Sequence, residues 1–402
     1  MRCGRTSDPS ASASMVGTYG RDTSRCDGVQ ARGAYLSRYI WRIGHTDFSM
    51  HSHHSHSGEF CKHASSSLDE VVARAAELGF THFHLSEHAP RSRDKDLYPE
   101  EIEAGMTPAS LEEQFSAYLK KARKVQQKFA DRMHILVGCE TENICSPHSV
   151  KFLRQVLGTT DDAVPGSLVG AGIVDYLVGS VHHVYEIPID FDRATYERAL
   201  SMGAEPKREQ LLHGYLDAQY EVMDQLRPEI IGHMDLFRLY EPQAVWLPSE
   251  ASARKALYEK LKRNIHFAAS YGALFEANSA AFRKGWGSET YPGRDILRMI
   301  CAAHGRFALS DDSHGTAQVG LNYARLHNYL YNEGVKQVWV LEAAHDAFRS
   351  IPDEAERRAR ETSASPGLDA PTMFPRGTRA IPMPLWASDP FWNTLPPSLQ
   401  TT

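Results

Sequence analysis

Hydrophobic and polar positions along the chain follow two alternating periods. In "SLDEVVARAAELGF" (Ser67 to Phe80), Leu68, Val71, Val72, Ala75 and Ala76 share one helical face. Ser67 and Glu70 have capping-box spacing, and Gly79 is placed to end the helix. "THFHLSEH" follows as a short strand running into polar residues. The unit recurs. Helices are predicted near 108–130, 191–226, 249–271 and 292–304, followed in turn by strands in "MHILVGCETE", "EIIGHMD", "ALFEANS" and "RFALSDDSH". With "TDFSMHSHHSH" and "VDYLVGSVHH" this makes seven short strands. Such alternation predicts an α/β fold of parallel strands with helices outside, either an open sheet or a closed barrel. "KQVWVLE" reads as an additional strand, and the nine prolines after 350 forbid a long helix there.

The polar residues gather at the strand ends: His54 and His56, Glu87 and His88, Glu140, His182, His233, Asp312 and His314. One histidine in such a place is usually a satisfied core residue. Nearly every strand ending this way is not a packing pattern, because burying many titratable groups together is costly unless a cation offsets them. Convergence of so many ends is natural in a closed β/α barrel, whose active site lies at the C-terminal strand ends. Residues i and i+2 of an extended chain face the same way, so His54-Ser55-His56 offers two imidazoles to one ion. His51-Ser52-His53 has the same spacing, and spacing alone leaves both pairs open. Imidazole with carboxylate suits zinc, manganese or iron, and no thiolate ligand is evident. The candidates exceed the four ligands of one tetrahedral ion, so two or three divalent transition-metal ions are expected, sharing a bridging carboxylate.

Totals narrow the function classes. The 402 residues are 42% hydrophobic and 23% charged, enough for a sizeable globular core. A net charge of −6 offers no footprint for nucleic acid or an anionic membrane. The longest apolar stretch, "LVGAGIVDYLVGSV", is interrupted by Asp175 and is too short to span a bilayer. Six cysteines without CxxC pairs argue against a disulfide framework or thiolate zinc module, and favour a reducing, cytoplasmic setting. Residues 1–45 are expected to be a disordered extension, 46–345 the catalytic body, and 346–402 a Pro-rich segment packed on it or trailing.

"HSHSGEFCKHA", "LSEHAPR", "VGCETE", "VGSVHHV", "IGHMDL", "FEANSAAFRKGWGSETYP" and "LSDDSHG" occur in the order found in histidinol-phosphate phosphatases of the polymerase-and-histidinol-phosphatase (PHP) superfamily, which the chain resembles over about residues 48–330. "SHHSHSG", "VGSVHHVYEIPIDFD" and "LSDDSHG" resemble the fungal branch in particular. The resemblance implies a distorted seven-stranded, TIM-like β/α barrel and a trinuclear metal centre. It also implies hydrolysis of L-histidinol phosphate late in histidine biosynthesis. Carried over by position, it implies one metal on His54, His56, Glu140 and Asp312, a second on Glu140, His182 and His233, and a third on His63, His88 and His314. His54-x-His56 is preferred over His51-x-His53, because Ser57-Gly58 and the distance to His63 fit the family, and His51→Ala is then expected to be tolerated.

Phosphate-ester cleavage at such a site would use a hydroxide held between two ions, with Glu140, Asp312 and His233 in catalytic positions. Arg283, after the sixth strand, is the expected phosphate clamp, and Arg91 a weaker second contact. Glu142 and Asp235 are candidates to orient ligating histidines. Two rivals remain. Another PHP-type phosphoesterase, including nuclease-like domains, would want a basic groove. A non-catalytic scaffold would have lost ligands, and no candidate position is missing.

Overall fold

The computed structural model describes residues 50–143, 174–204, 207–244, 246, 252–343, 372–374 and 376–400. The expected N-terminal extension lies outside these residues, as do residues 346–371 of the Pro-rich segment expected over 346–402. The capping box at Ser67 forms. Glu70 Oε2 accepts from the Ser67 N–H at 2.7 Å, Ser67 Oγ accepts from the Glu70 N–H at 3.4 Å, and Gly79 ends helix α1 (Leu68–Leu78) at φ +88°. Helices α2 (Pro108–Lys128), α3 (Arg193–Met202), α4 (Lys207–Leu226), α5 (Ser252–Ser270) and α6 (Arg294–Ala302) follow. The single helix expected over 191–226 is therefore two, divided where Gly203 caps α3. None of the described helices is long and apolar enough to cross a membrane.

The strands are short: β1 (His51–Ser52), β2 (Ser55–His56), β3 (His82–Phe83), β4 (Gly138–Glu140), β5 (Tyr176–Gly179), β6 (His183–Val184), β7 (Ile187–Pro188), β8 (Ile230–Ile231), β9 (Leu274–Asn278), β10 (Arg306–Ser310), β11 (Ser313–His314), β12 (Val338–Ala343), β13 (Thr372–Met373) and β14 (Thr378–Met383). β4, β5, β8, β9, β10 and β12 run parallel in that order. β14 and β13 add antiparallel at the β12 edge, making an eight-stranded mixed sheet. β1 pairs parallel with β3, and β2 with β11. Single parallel bridges at His82–His134, Leu85–Val137 and His88–Glu140 tie the β3 segment to that of β4. The seven expected strand segments all appear. Among the described residues they are distributed over several short sheets rather than one ladder closed as a barrel.

Alternation sorts the sheet's residues between two cores. Leu177, Ile231, Phe275, Phe307 and Leu309 pack in the main core with the helices, while Tyr176, Val178, Ile230, Leu274 and Ala308 form a second cluster on the other face. Gly138 is required there, since a Cβ would lie 2.2 Å from the ring of its neighbour Tyr176. The Tyr176 hydroxyl reaches across to donate to His53 O (2.7 Å) and Leu85 O (3.2 Å).

His51, His53 and His84 are fully buried and complete backbone pairing that no ladder supplies. His51 Nε2 accepts from the Leu309 N–H at 2.9 Å. His53 Nε2 accepts from the Leu341 N–H (3.0 Å) while its Nδ1–H donates to Leu309 O (3.3 Å). His84 Nδ1 accepts from the Leu136 N–H (3.1 Å) while its Nε2–H donates to Leu341 O (2.9 Å). A ring nitrogen that accepts carries no proton, so each ring is neutral, and His53 and His84 donate from the other nitrogen as well. His51, expected to lie outside the metal site, is placed here instead, where it is the acceptor for the buried Leu309 N–H.

His84→Leu leaves two buried backbone groups unpaired, at roughly 1–3 kcal/mol each. Urea unfolding should show a loss of that order. Burial, then the neighbouring His82, holds His84 well below the ordinary 6.5, so it stays neutral when folded and takes a proton when unfolded. Its contribution is therefore present above about pH 6.5 and fades as pH falls below it. The stability gap between wild type and His84→Leu should shrink from pH 7 to pH 5; a constant gap contradicts the neutral-rung account.

Candidate active site

Counting in twos along the inner face explains why the polar groups meet. Leu136 belongs to the inner apolar cluster, and Gly138 and Glu140 follow it on the same side; Leu274 leads likewise to Glu276. The remaining ligand candidates leave the strand ends nearby.

Glu140 is 1% exposed and turns its two oxygens to different partners. Oε2 lies 3.1 Å from His54 Nε2, 3.3 Å from His56 Nε2 and 3.0 Å from His88 Nδ1. Oε1 lies 3.1 Å from His233 Nε2 and 3.2 Å from His182 Nε2. Asp312 Oδ1 stands 3.6 Å from both His54 Nε2 and His56 Nε2. His63, His88 and His314 form an adjoining group, with His63 and His314 ring centroids 5.0 Å apart. The structure therefore brings all nine expected ligands into one region, and places His51 and His53 elsewhere.

Burial alone would raise the Glu140 carboxyl, but His54, His182 and His88 hold it well below the carboxylate range. The Asp312 carboxyl is raised by burial and lowered further by His54, His314, Lys284 and Arg283, ending well below its ordinary value. His54 Nε2, both ring nitrogens of His56 and of His88, and Glu140 Oε2 are buried without an aligned hydrogen-bond partner, despite separations near 3 Å. Donor atoms around a shared tetrahedral cation at about 2.0–2.2 Å sit about 3.3–3.6 Å from one another. The spacing and the unmet lone pairs fit divalent cations.

Carboxylates behind the cluster orient the rings. Glu276 escaped notice in the sequence because it lies inside "FEANS", away from a strand tip. Its Oε1 accepts from His54 Nδ1 at 2.7 Å and its Oε2 from the His233 N–H at 2.5 Å. Glu142 lies 3.2 Å from His88 Nδ1 and 3.3 Å from His182 Nδ1. Asp235, the other expected orienter, instead accepts from the Gly293 N–H and faces Arg238, and burial pushes it up to about 7. Cys61 was also missed: its Sγ is 3.2 Å from His63 Nε2, a proximity that a turn creates and that no CxxC-type motif signals.

A cavity of about 510 Å³ opens on the cluster, lined also by Arg283, Lys284, Tyr98, Asp190 and Phe191. Arg283 donates from Nη1 to Asp311 O (2.9 Å) and from Nη2 to Asp312 O (2.6 Å). It thereby braces Asp312 at φ +47°, a left-handed conformation unusual for a residue with a Cβ. Asp190 Oδ1 is buried and unpaired. Arg91 does not line this cavity. It is buried and bound to Glu101 and to Glu142 (3.3 Å), so its expected phosphate contact gives way to a place behind the Glu142 carboxylate.

The PHP domain family matches residues 52–280. A Schizosaccharomyces pombe protein named "Probable histidinol-phosphatase" is 41% identical over 301 residues, covering 75% of this chain and 92% of the relative. The Saccharomyces cerevisiae "Histidinol-phosphatase" is 32% identical over 307 residues, covering 70% and 88%. A solved structure from Listeria monocytogenes bearing the histidinol phosphatase name shares the fold, with a TM-score of 0.53 at 24% identity, covering 68% of this chain and 98% of that one. The chain therefore belongs to the PHP-domain family, alongside fungal relatives that carry the histidinol-phosphatase name.

Proposed function

We propose that this protein hydrolyses L-histidinol phosphate to L-histidinol and inorganic phosphate in L-histidine biosynthesis, using divalent cations held at the strand ends. The observation that carries the reading is Glu140, one carboxylate with each oxygen turned to a separate set of imidazoles, beside a guanidinium in the same cavity. The substrate is brought by the names of the two fungal relatives. His54, His56, Glu140 and Asp312 would hold one cation, Glu140, His182 and His233 a second, and His63, His88 and His314 a third; zinc, manganese or iron suits such donors. When bound, the cations acidify a water and draw charge from the phosphoryl oxygens.

The chain's own groups do the rest. Arg283 and Lys284 bring positive charge into the cavity for the phosphate, and Glu276 and Glu142 hold the rings of His54, His88 and His182 in orientation. The unpaired Asp190 carboxylate, with Tyr98 and Phe191, suits the cationic amine and the imidazole of the alcohol. The strand pairs are read as a distorted seven-membered ring within residues 46–345, since β2–β11 pairing links the first segment to the last. Free thiols at Cys61, Cys139 and Cys301 accord with a reducing, cytoplasmic setting.

Phosphate release from L-histidinol phosphate should far exceed that from an aryl phosphate or an oligonucleotide, and should vanish with a strong chelator. Full activity in metal-free protein, or a preference for the oligonucleotide, overturns the reading. Glu140→Gln keeps the shape but removes the charge, so metal content by mass spectrometry and turnover should both collapse; near-normal values contradict the bridging role. Arg283→Ala removes charge-assisted bonds worth about 1.5–3 kcal/mol. kcat/KM should fall roughly 10- to 150-fold; metal content retained assigns the loss to the phosphate contact, metal lost with activity assigns it to the brace on Asp312, and an unchanged kcat/KM would exclude Arg283 as the clamp.

A further inference from the structure

Cys61 sits in the third group of donors. Its Sγ and one nitrogen each of His63, His88 and His314 all lie within 4.8 Å of one another. The side chain is 5% exposed, and His88 Nε2 is buried without a hydrogen-bond partner. A backbone turn fixes the arrangement: the Cys61 N–H donates to Ser57 O at 2.9 Å and the Ala64 N–H to Cys61 O at 3.3 Å, which keeps Cys61 and His63 side by side. Three imidazoles alone leave a tetrahedral ion one ligand short.

The geometry points to Cys61 as a thiolate ligand, with His63, His88 and His314, of the cation in the third site. This rests on the three-cation reading above. The thiol proton passes to solvent as sulfur donates its lone pair to the ion. One sulfur and three nitrogens complete a tetrahedral set without an open position, the pattern of a structural ion. The third cation then holds the wall of the cavity in place, and the Glu140-bridged pair is left for the substrate. Thiolate also biases this one site toward zinc or ferrous iron over manganese.

The test is the absorption spectrum and metal count of the full-length protein loaded with cobalt(II). Wild type should bind three ions and show thiolate-to-cobalt charge-transfer absorption in the near ultraviolet. Cys61→Ser and Cys61→His should lose that band, the histidine variant keeping three ions because it restores a donor. Cys139→Ser and Cys145→Ser should keep the band, so the assignment stands or falls even where Cys61 variants do not fold. Three ions without the band in wild type, a band that survives in a folded Cys61 variant, or one lost with Cys139 or Cys145, overturns the Cys61 ligand alone. Two ions or fewer overturns the third site on which it rests.

Discussion

Glu140 is buried among the imidazoles of His54, His56, His88, His182 and His233, and the rest of the site is arranged around that carboxylate. A buried ion costs several kcal/mol unless opposite charge and hydrogen bonds offset the desolvation. Without a metal, protons on His54, His88 and His182 offset it, burial opposing and Glu140 favouring the charged rings. Divalent cations between neutral rings and the carboxylate would take the place of those protons and make the centre reactive. The second layer follows from the same constraint: Glu276 accepts from His54 Nδ1 and so turns its Nε2 toward Glu140, while Glu142 stands beside the rings of His182 and His88 and Glu87 beside that of His56.

The fold uses histidine in two opposite ways within six residues. His54 and His56 point their nitrogens into the Glu140 and Asp312 cluster, where charge is welcome. His51 and His53, on the alternate positions, are fully buried rungs between backbone groups, where charge is excluded; burial, then His51 and His84, holds His53 well below its ordinary value. A strand's period of two separates the two sets, and Ser52 ties this segment to the loop after β10 by donating to Asp311 Oδ1 at 3.0 Å. The metal end and the neutral end are thus adjacent layers of one interior.

Much of this was legible beforehand. Capping-box spacing at Ser67 and Glu70 marked α1 to within a residue, because caps are local chemistry. Eight of the nine candidate ligands were legible because they sit past apolar runs near strand tips, whereas His63, in the turn after β2, came from the family resemblance alone. What was not legible depends on contacts distant in sequence. Arg91 reads as a second phosphate contact until Glu101 and Glu142 are seen to hold it. Glu276 reads as a strand residue until His54, 222 positions away, is seen to donate to it. His51-x-His53 and His54-x-His56 have identical spacing, and only the pairing of β1 with β3 and of β2 with β11 sets their facing.

The central claim, that one carboxylate bridges cations at the strand ends, is tested most directly by anomalous diffraction at the metal edge from crystals of the metal-loaded protein. Two peaks should flank Glu140, one within bonding distance of Oε2 and the His54 and His56 nitrogens, the other of Oε1 and the His182 and His233 nitrogens. No peak beside Glu140, or a single peak touching only one of its oxygens, would contradict the account.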